Sequence, residues 1–270
     1  MADAAPLVVS SYTLGTDVAF GDRVRAAATA GFDGIGLRAE NYWDADLDDD
    51  AMRSLAEQHG VPVLEVEYLT AWGTEADRDA AQQRKEQTVF HMARTFGVRH
   101  LNAGLLERLP LDVMTDAFAA LCGRAGPDLT VALEFMPYSG VPDLATAWQI
   151  VQGVPNGGLI IDNWHWARAG QKPGDLAAVP ADRIVSVQLC DVRAEPMDPL
   201  RAESLGHRLP PGLGYGDTVG LVRALAAHGV APAVMAVEVI SDELVARGVD
   251  VAAQVTADAA REVLARAALS

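Results

Sequence analysis

The stretch LTVALEFMPYSGVPDLATAWQIVQGVPNGGLIIDNW, Leu129–Trp164, carries the unit from which the chain is built. Leu129–Met136 and Leu159–Trp164 are short apolar runs with almost no polar alternation, the pattern of parallel strands covered on both faces. Between them Leu144–Gln152 has the apolar spacing of a helix. The same alternation extends in both directions. Further strands are predicted at Leu7–Leu14, Gly34–Glu40, Val61–Leu69, His100–Leu105, Ile184–Asp191 and Ala233–Ile240, making eight. Further helices are predicted from Asp22 to Ala30, at Asp49–His59, Glu75–Phe96 (the longest), Leu111–Arg124, Thr218–His228 and Val249–Ala267, with a short connection around Asp175–Val179. Gly31, Gly60, Gly97 and Gly229 each close a helix just before a strand.

Eight βα alternations in about 250 residues match a single α/β domain over 1–270, a (β/α)8 TIM barrel. An open doubly wound sheet is the rival, but the glycine-rich phosphate turn it needs after the first strand is missing. No linker or composition shift marks a second domain.

Charge narrows the function. The 270 residues carry 21 Lys and Arg against 37 Asp and Glu, a net charge of −16, so neither a nucleic acid nor an anionic membrane surface is expected as a partner. Cys122 and Cys190 form no metal-type pair and read as buried free thiols. The N-terminus lacks the basic and apolar regions of a secretory signal, and no run approaches 18 apolar residues, so a soluble cytoplasmic protein is expected.

Barrel enzymes build their sites where the strands end. Four consecutive strands place a polar residue in an otherwise apolar run: Glu134 in VALEF, Asp162 in LIIDNWHW with His165 three residues on, Gln188 in IVSVQLCD with Asp191 beyond it, and Glu238 in AVMAVEVIS. A single such residue is as often an outward-facing or internally hydrogen-bonded group. Four in register are a site. Converging carboxylates repel one another and resist burial unless a cation joins them. Glu134, Asp162, Gln188 and Glu238 offer only oxygen donors, which suit Mn²⁺ first and Mg²⁺ second, rather than Zn²⁺.

At these residues the chain resembles the sugar phosphate isomerases and epimerases of the xylose-isomerase-like barrels. The resemblance rests on ALEFMP (Ala132–Pro137), IIDNWHWARAG (Ile160–Gly170), VQLCDVR (Val187–Arg193), LPPGLGYGD (Leu209–Asp217), VEVIS (Val237–Ser241) and AATAGFDGI (Ala27–Ile35). It implies that Glu134 and Glu238 bind the metal and face the substrate carbon from opposite sides, with Asp162 and Gln188 completing the shell. It also implies that His165 holds a substrate oxygen or shuttles its proton, and that Arg193 binds a polar end of the substrate. Gly36 stands where relatives often carry Glu, and EYLTAWG (Glu67–Gly73) lacks the arginine of the 3-dehydroshikimate dehydratase branch.

Of the aromatics near predicted strand ends, Tyr68, Trp72 and Trp166 are expected to line the substrate pocket. Leu209–Asp217 reads as a turn or lid, and Asp44–Asp50 as an acidic helix start. The leading function is a metal-dependent isomerase or epimerase that removes a proton α to a carbonyl of a small hydroxy-ketone or sugar-like substrate. A dehydratase using the same enolate is the alternative, and a non-catalytic binding barrel the third. A homo-oligomer is left open.

Overall fold

The computed structural model describes residues 5–76 and 78–269; the N-terminal reading of residues 1–4 therefore lies outside the described residues. Eight parallel strands, β1 (Leu7–Val9), β2 (Gly34–Arg38), β3 (Val63–Leu69), β4 (His100–Ala103), β5 (Thr130–Glu134), β6 (Gly157–Asp162), β7 (Ile184–Leu189) and β8 (Val234–Val237), pair in sequence order. β8 returns to β1, with Leu7 opposite Met235, and closes the barrel. The (β/α)8 architecture expected from the alternation is the one observed.

Seven strands are shorter than their apolar runs, and β6 keeps its length but begins two residues earlier, at Gly157. Beyond each strand the chain turns, and several strand ends pass directly into short helices: Ser11–Leu14, Ala39–Trp43 and Asn163–Arg168. The Ser10 hydroxyl accepts from Tyr12 N–H at 3.2 Å, so β1 stops there and a helical turn begins. Helices begin where side chains can cap them. Asp48 and Asp79 cap Asp49–Gln58 and Ala80–Phe96, so the latter starts five residues later than predicted. Val249–Ala268, with 20 residues, is the longer helix. Phe20–Ala30 begins before Asp22, which lies in its first turn and does not cap it.

Apolar side chains fill the annulus between strands and helices as one continuous core. A separate small cluster of Val8, Val234 and Ala236 occupies a different face of the strands. In register with it lie polar residues: Ser186 pairs with Val234 and Gln188 with Ala236. The interior of the barrel is therefore polar toward the strand ends. Buried there, Glu65 accepts from Asn102 at 2.6 Å, Ser186 at 3.0 Å and His100 at 3.3 Å. A Cβ at Gly36 would collide with the Glu67 carboxylate, so a glutamate from the neighbouring strand fills the space beside that glycine.

Candidate metal and acid–base centre

Glu134 closes β5, Asp162 closes β6, Gln188 is the penultimate residue of β7 and Glu238 follows β8 directly. All four are buried. Asp162 is the register partner of Gln188 on the adjacent strand.

The Asp-x-x-His spacing has a local cause. Asp162 caps the helix Asn163–Arg168, its Oδ1 accepting from His165 N–H at 2.9 Å. Its second oxygen, Oδ2, accepts from Arg208 Nη1 at 2.8 Å. The cap fixes His165 one turn into the helix, with Nε2 3.2 Å from Glu134 Oε1. Tyr138 and Trp164 hold the imidazole edge-on, with ring centroids 5.8 and 5.1 Å away.

Arg208 stands in the middle of this group, a residue the sequence reading did not single out. Its guanidinium Nη1 donates to Asp162 Oδ2 at 2.8 Å and Glu238 Oε2 at 2.9 Å, and Nη2 donates to Ser204 Oγ at 3.1 Å. Burial opposes its charge, but Asp162 and Glu238 outweigh burial and hold its pKa above the ordinary arginine range. Burial also pushes Glu238 well above the usual carboxylate range; Arg208 pulls against that shift, while Glu134 and Asp162 add to it.

Glu134, Asp162 and His165 bring one ligand atom each within 4.8 Å of one another, close enough to hold one divalent ion. Glu134 Oε1 and Gln188 Oε1 are buried acceptors that accept no hydrogen bond, although His165 Nε2 lies 3.2 Å from the former. Such an atom costs about 1–3 kcal/mol if nothing satisfies it, and a cation is the partner both lack. The donor set, mostly carboxylate and amide oxygen with one imidazole, fits a divalent metal.

The cleft above these groups is lined by Tyr12, Tyr68 and Tyr138 together with Glu134, His165 and Glu238. Burial keeps Tyr68 a phenol far beyond neutral pH, with Glu134 adding to the shift, and pushes Tyr138 up to about 12. Tyr138 donates its hydroxyl to Ser204 Oγ at 3.1 Å.

Three residues expected at the substrate lie elsewhere. Trp72 is fully buried and packs on Phe118, 5.7 Å between centroids, so its place is the annular core. Trp166 lines a separate groove with Lys172 and Tyr215. Arg193 is exposed, and its backbone carbonyl accepts from Arg168 at 2.9 Å. Asp191 anchors the Leu209–Asp217 turn, accepting from Gly212 N–H, Gly216 N–H and the Thr218 hydroxyl.

The sequence matches the family described as xylose isomerase-like TIM barrel over residues 24–266. No curated protein matches it. Among solved structures, the IolI protein with a bound zinc atom aligns with a TM-score of 0.85 at 21% identity, covering 97% of this chain and 98% of that one. A xylose isomerase-like TIM barrel/4-hydroxyphenylpyruvate dioxygenase fusion protein aligns with a TM-score of 0.85 at 20% identity, over 98% of this chain. This chain spans only 43% of that fusion's length. D-allulose 3-epimerase from Methylomonas sp., in complex with D-allulose, aligns with a TM-score of 0.69 at 17% identity, over 97% of each chain. At these identities the likeness is one of fold.

Proposed function

The chain belongs to the xylose isomerase-like TIM barrel family, and we propose that it is a divalent-metal-dependent isomerase or epimerase of a hydroxy-ketone or sugar-like substrate. The observation that carries this reading is the pair Glu134 and Glu238, two buried carboxylates from β5 and β8 that face one cleft. Structural neighbours with that kind of substrate, D-allulose in one and D-tagatose in another, support the substrate class.

Glu134, Asp162, Gln188 and Glu238 would hold the ion, Mn²⁺ ahead of Mg²⁺, with His165 placed to join them. The ion would supply Lewis-acid stabilisation of the enediolate oxygens. One of the two glutamates takes the proton from the carbon α to the carbonyl, and the C–H electron pair moves into the enediolate. The other glutamate returns a proton, to the opposite face of that carbon for an epimer or to the neighbouring carbon for an isomer. His165 moves or holds the proton on a substrate oxygen, and the Tyr68 and Tyr138 rings line the cleft beside it.

Proton NMR in D₂O tests this on Mn²⁺-loaded protein, quenched with chelator, over ketoses, keto-cyclitols, 3-dehydroshikimate and simple α-hydroxy-ketones. Metal-dependent deuterium at an α-carbon, with an isomer of the substrate as product, is the expected result. A new vinylic or aromatic signal, or binding without exchange, would contradict it.

A further inference from the structure

The carboxylates that would hold a metal already hold a cation. Arg208 Nη1 lies 2.8 Å from Asp162 Oδ2 and 2.9 Å from Glu238 Oε2, and the guanidinium is buried with them. The arginine is anchored from behind by the element that carries it: Nε donates to Ser204 O at 2.9 Å and Nη2 to Ser204 Oγ at 3.1 Å. Tyr138 reaches the same hydroxyl at 3.1 Å. By contrast Glu134 Oε1 and Gln188 Oε1 accept no hydrogen bond.

We propose that Arg208 and the divalent ion compete for Asp162 and Glu238, so that metal loading displaces the guanidinium from these two carboxylates. The proposal rests on the reading of this cluster as a metal centre, not on any substrate. Metal–oxygen bonds to these ions run about 2.0–2.2 Å. A metal bound to Asp162 Oδ2 while Arg208 stayed in place would therefore sit within about 5 Å of Nη1, by adding that bond to the 2.8 Å separation. Two positive groups so close in a buried site repel strongly.

The ion must displace the guanidinium or share its oxygens at a cost in affinity. Withdrawal breaks the two Nη1–carboxylate contacts and the longer ones from Nη1 to Glu238 O at 3.3 Å and Cys190 Sγ at 3.8 Å. The Ser204 backbone contact can stay, so Arg208 can swing without unravelling the helix Leu200–Gly206. The exchange makes the site electrostatically safe in both states, because Asp162 and Glu238 never face each other uncompensated.

The test is Mn²⁺ affinity, read from free Mn²⁺ by electron paramagnetic resonance, with no substrate present. Arg208→Gln, confirmed folded by circular dichroism, is expected to bind Mn²⁺ about tenfold or more tightly than the wild type, because a competing charge is gone. Ser204→Ala removes one anchor of the guanidinium, keeps all charges, and is expected to raise affinity about twofold to threefold. A crystal structure of the Mn²⁺-loaded wild type is expected to show Nη1 withdrawn from Asp162.

Unchanged or weaker Mn²⁺ binding in folded Arg208→Gln would overturn the proposal, since Arg208 would then be arranging the ligands. If that variant does not fold, the wild-type structure decides: Nη1 still on both carboxylates beside a bound ion overturns the proposal. Absence of Mn²⁺ binding in every variant also overturns it. Turnover without these affinity changes would leave the proposed function standing and remove only the competition.

Discussion

Two buried glutamates on the same face of the barrel are treated in opposite ways. Glu203, fully buried, has both oxygens engaged: Oε1 accepts from Trp164 Nε1 at 3.1 Å and from Arg168, and Oε2 accepts from Met197 N–H at 2.8 Å. Glu134, a short way off at the end of β5, has Oε1 without a donor and faces the His165 ring and the cleft. A carboxylate buried to hold structure is saturated with donors. One with an unfilled acceptor at a strand end is available for chemistry. Asp191 belongs with Glu203, its oxygens taken by the backbone of the turn it anchors.

The contrast predicts separable losses. The largest effect is on turnover: Glu134→Gln or Glu238→Gln is expected to lower kcat by about 10²–10⁴-fold, measured on the substrate found by NMR. Glu134→Gln should cost little stability, because its Oε1 makes no hydrogen bond that would be lost. Glu203→Ala should do the reverse, costing about 3–5 kcal/mol by leaving Arg168 without its buried partner. Chemical denaturation measures the cost, and the variant is expected to retain wild-type kcat per folded molecule at low temperature. Equal stability losses at Glu134 and Glu203 would erase the distinction.

Glu67 gives a pH-dependent version of the same comparison. Burial, with the Glu65 charge adding to it, raises its pKa from 4.5 to about 8. The folded state therefore keeps a proton that the unfolded chain releases between pH 4.5 and about 8, and this group lowers stability as pH rises through that window. Below it both states are protonated and the group contributes nothing. Glu67→Gln is expected to flatten that part of the stability curve; a fall of unchanged steepness in urea titrations would place its cause elsewhere. The smallest effect belongs to Arg193. Its side chain is exposed, so Arg193→Ala is expected to leave kcat/KM within about twofold, as for surface changes remote from a site.

The architecture was legible because near-continuous apolar runs alternate with 3.6-residue helical patterns and glycines stop the helices. Glu134, Asp162, Gln188 and Glu238 stood out as polar interruptions of apolar strands; Glu134 and Glu238 line one cleft, and Arg208 joins Asp162 to Glu238. The same signal was present at Glu65 and Glu67 in VLEVEYL, where two glutamates alternate with apolar residues, and it was passed over. Arg208 gave no local signal. It lies between a helix and a turn, and only the closure of the barrel carries it under Asp162 and Glu238. Trp72 and Arg193 misled for the opposite reason. Proximity to a strand end in sequence does not say whether a side chain turns into the cleft, into the core, as Trp72 does, or into solvent, as Arg193 does.

The central claim is that Glu134 and Glu238 serve opposite faces of one substrate carbon. Solvent-deuterium exchange in the two Gln variants tests it directly, following each epimer of the identified substrate separately by NMR. Glu238→Gln is expected to exchange the α-proton of one epimer only, Glu134→Gln that of the other only, and neither to interconvert them. Exchange of both epimers by a single variant would show one residue working both faces and would contradict the claim.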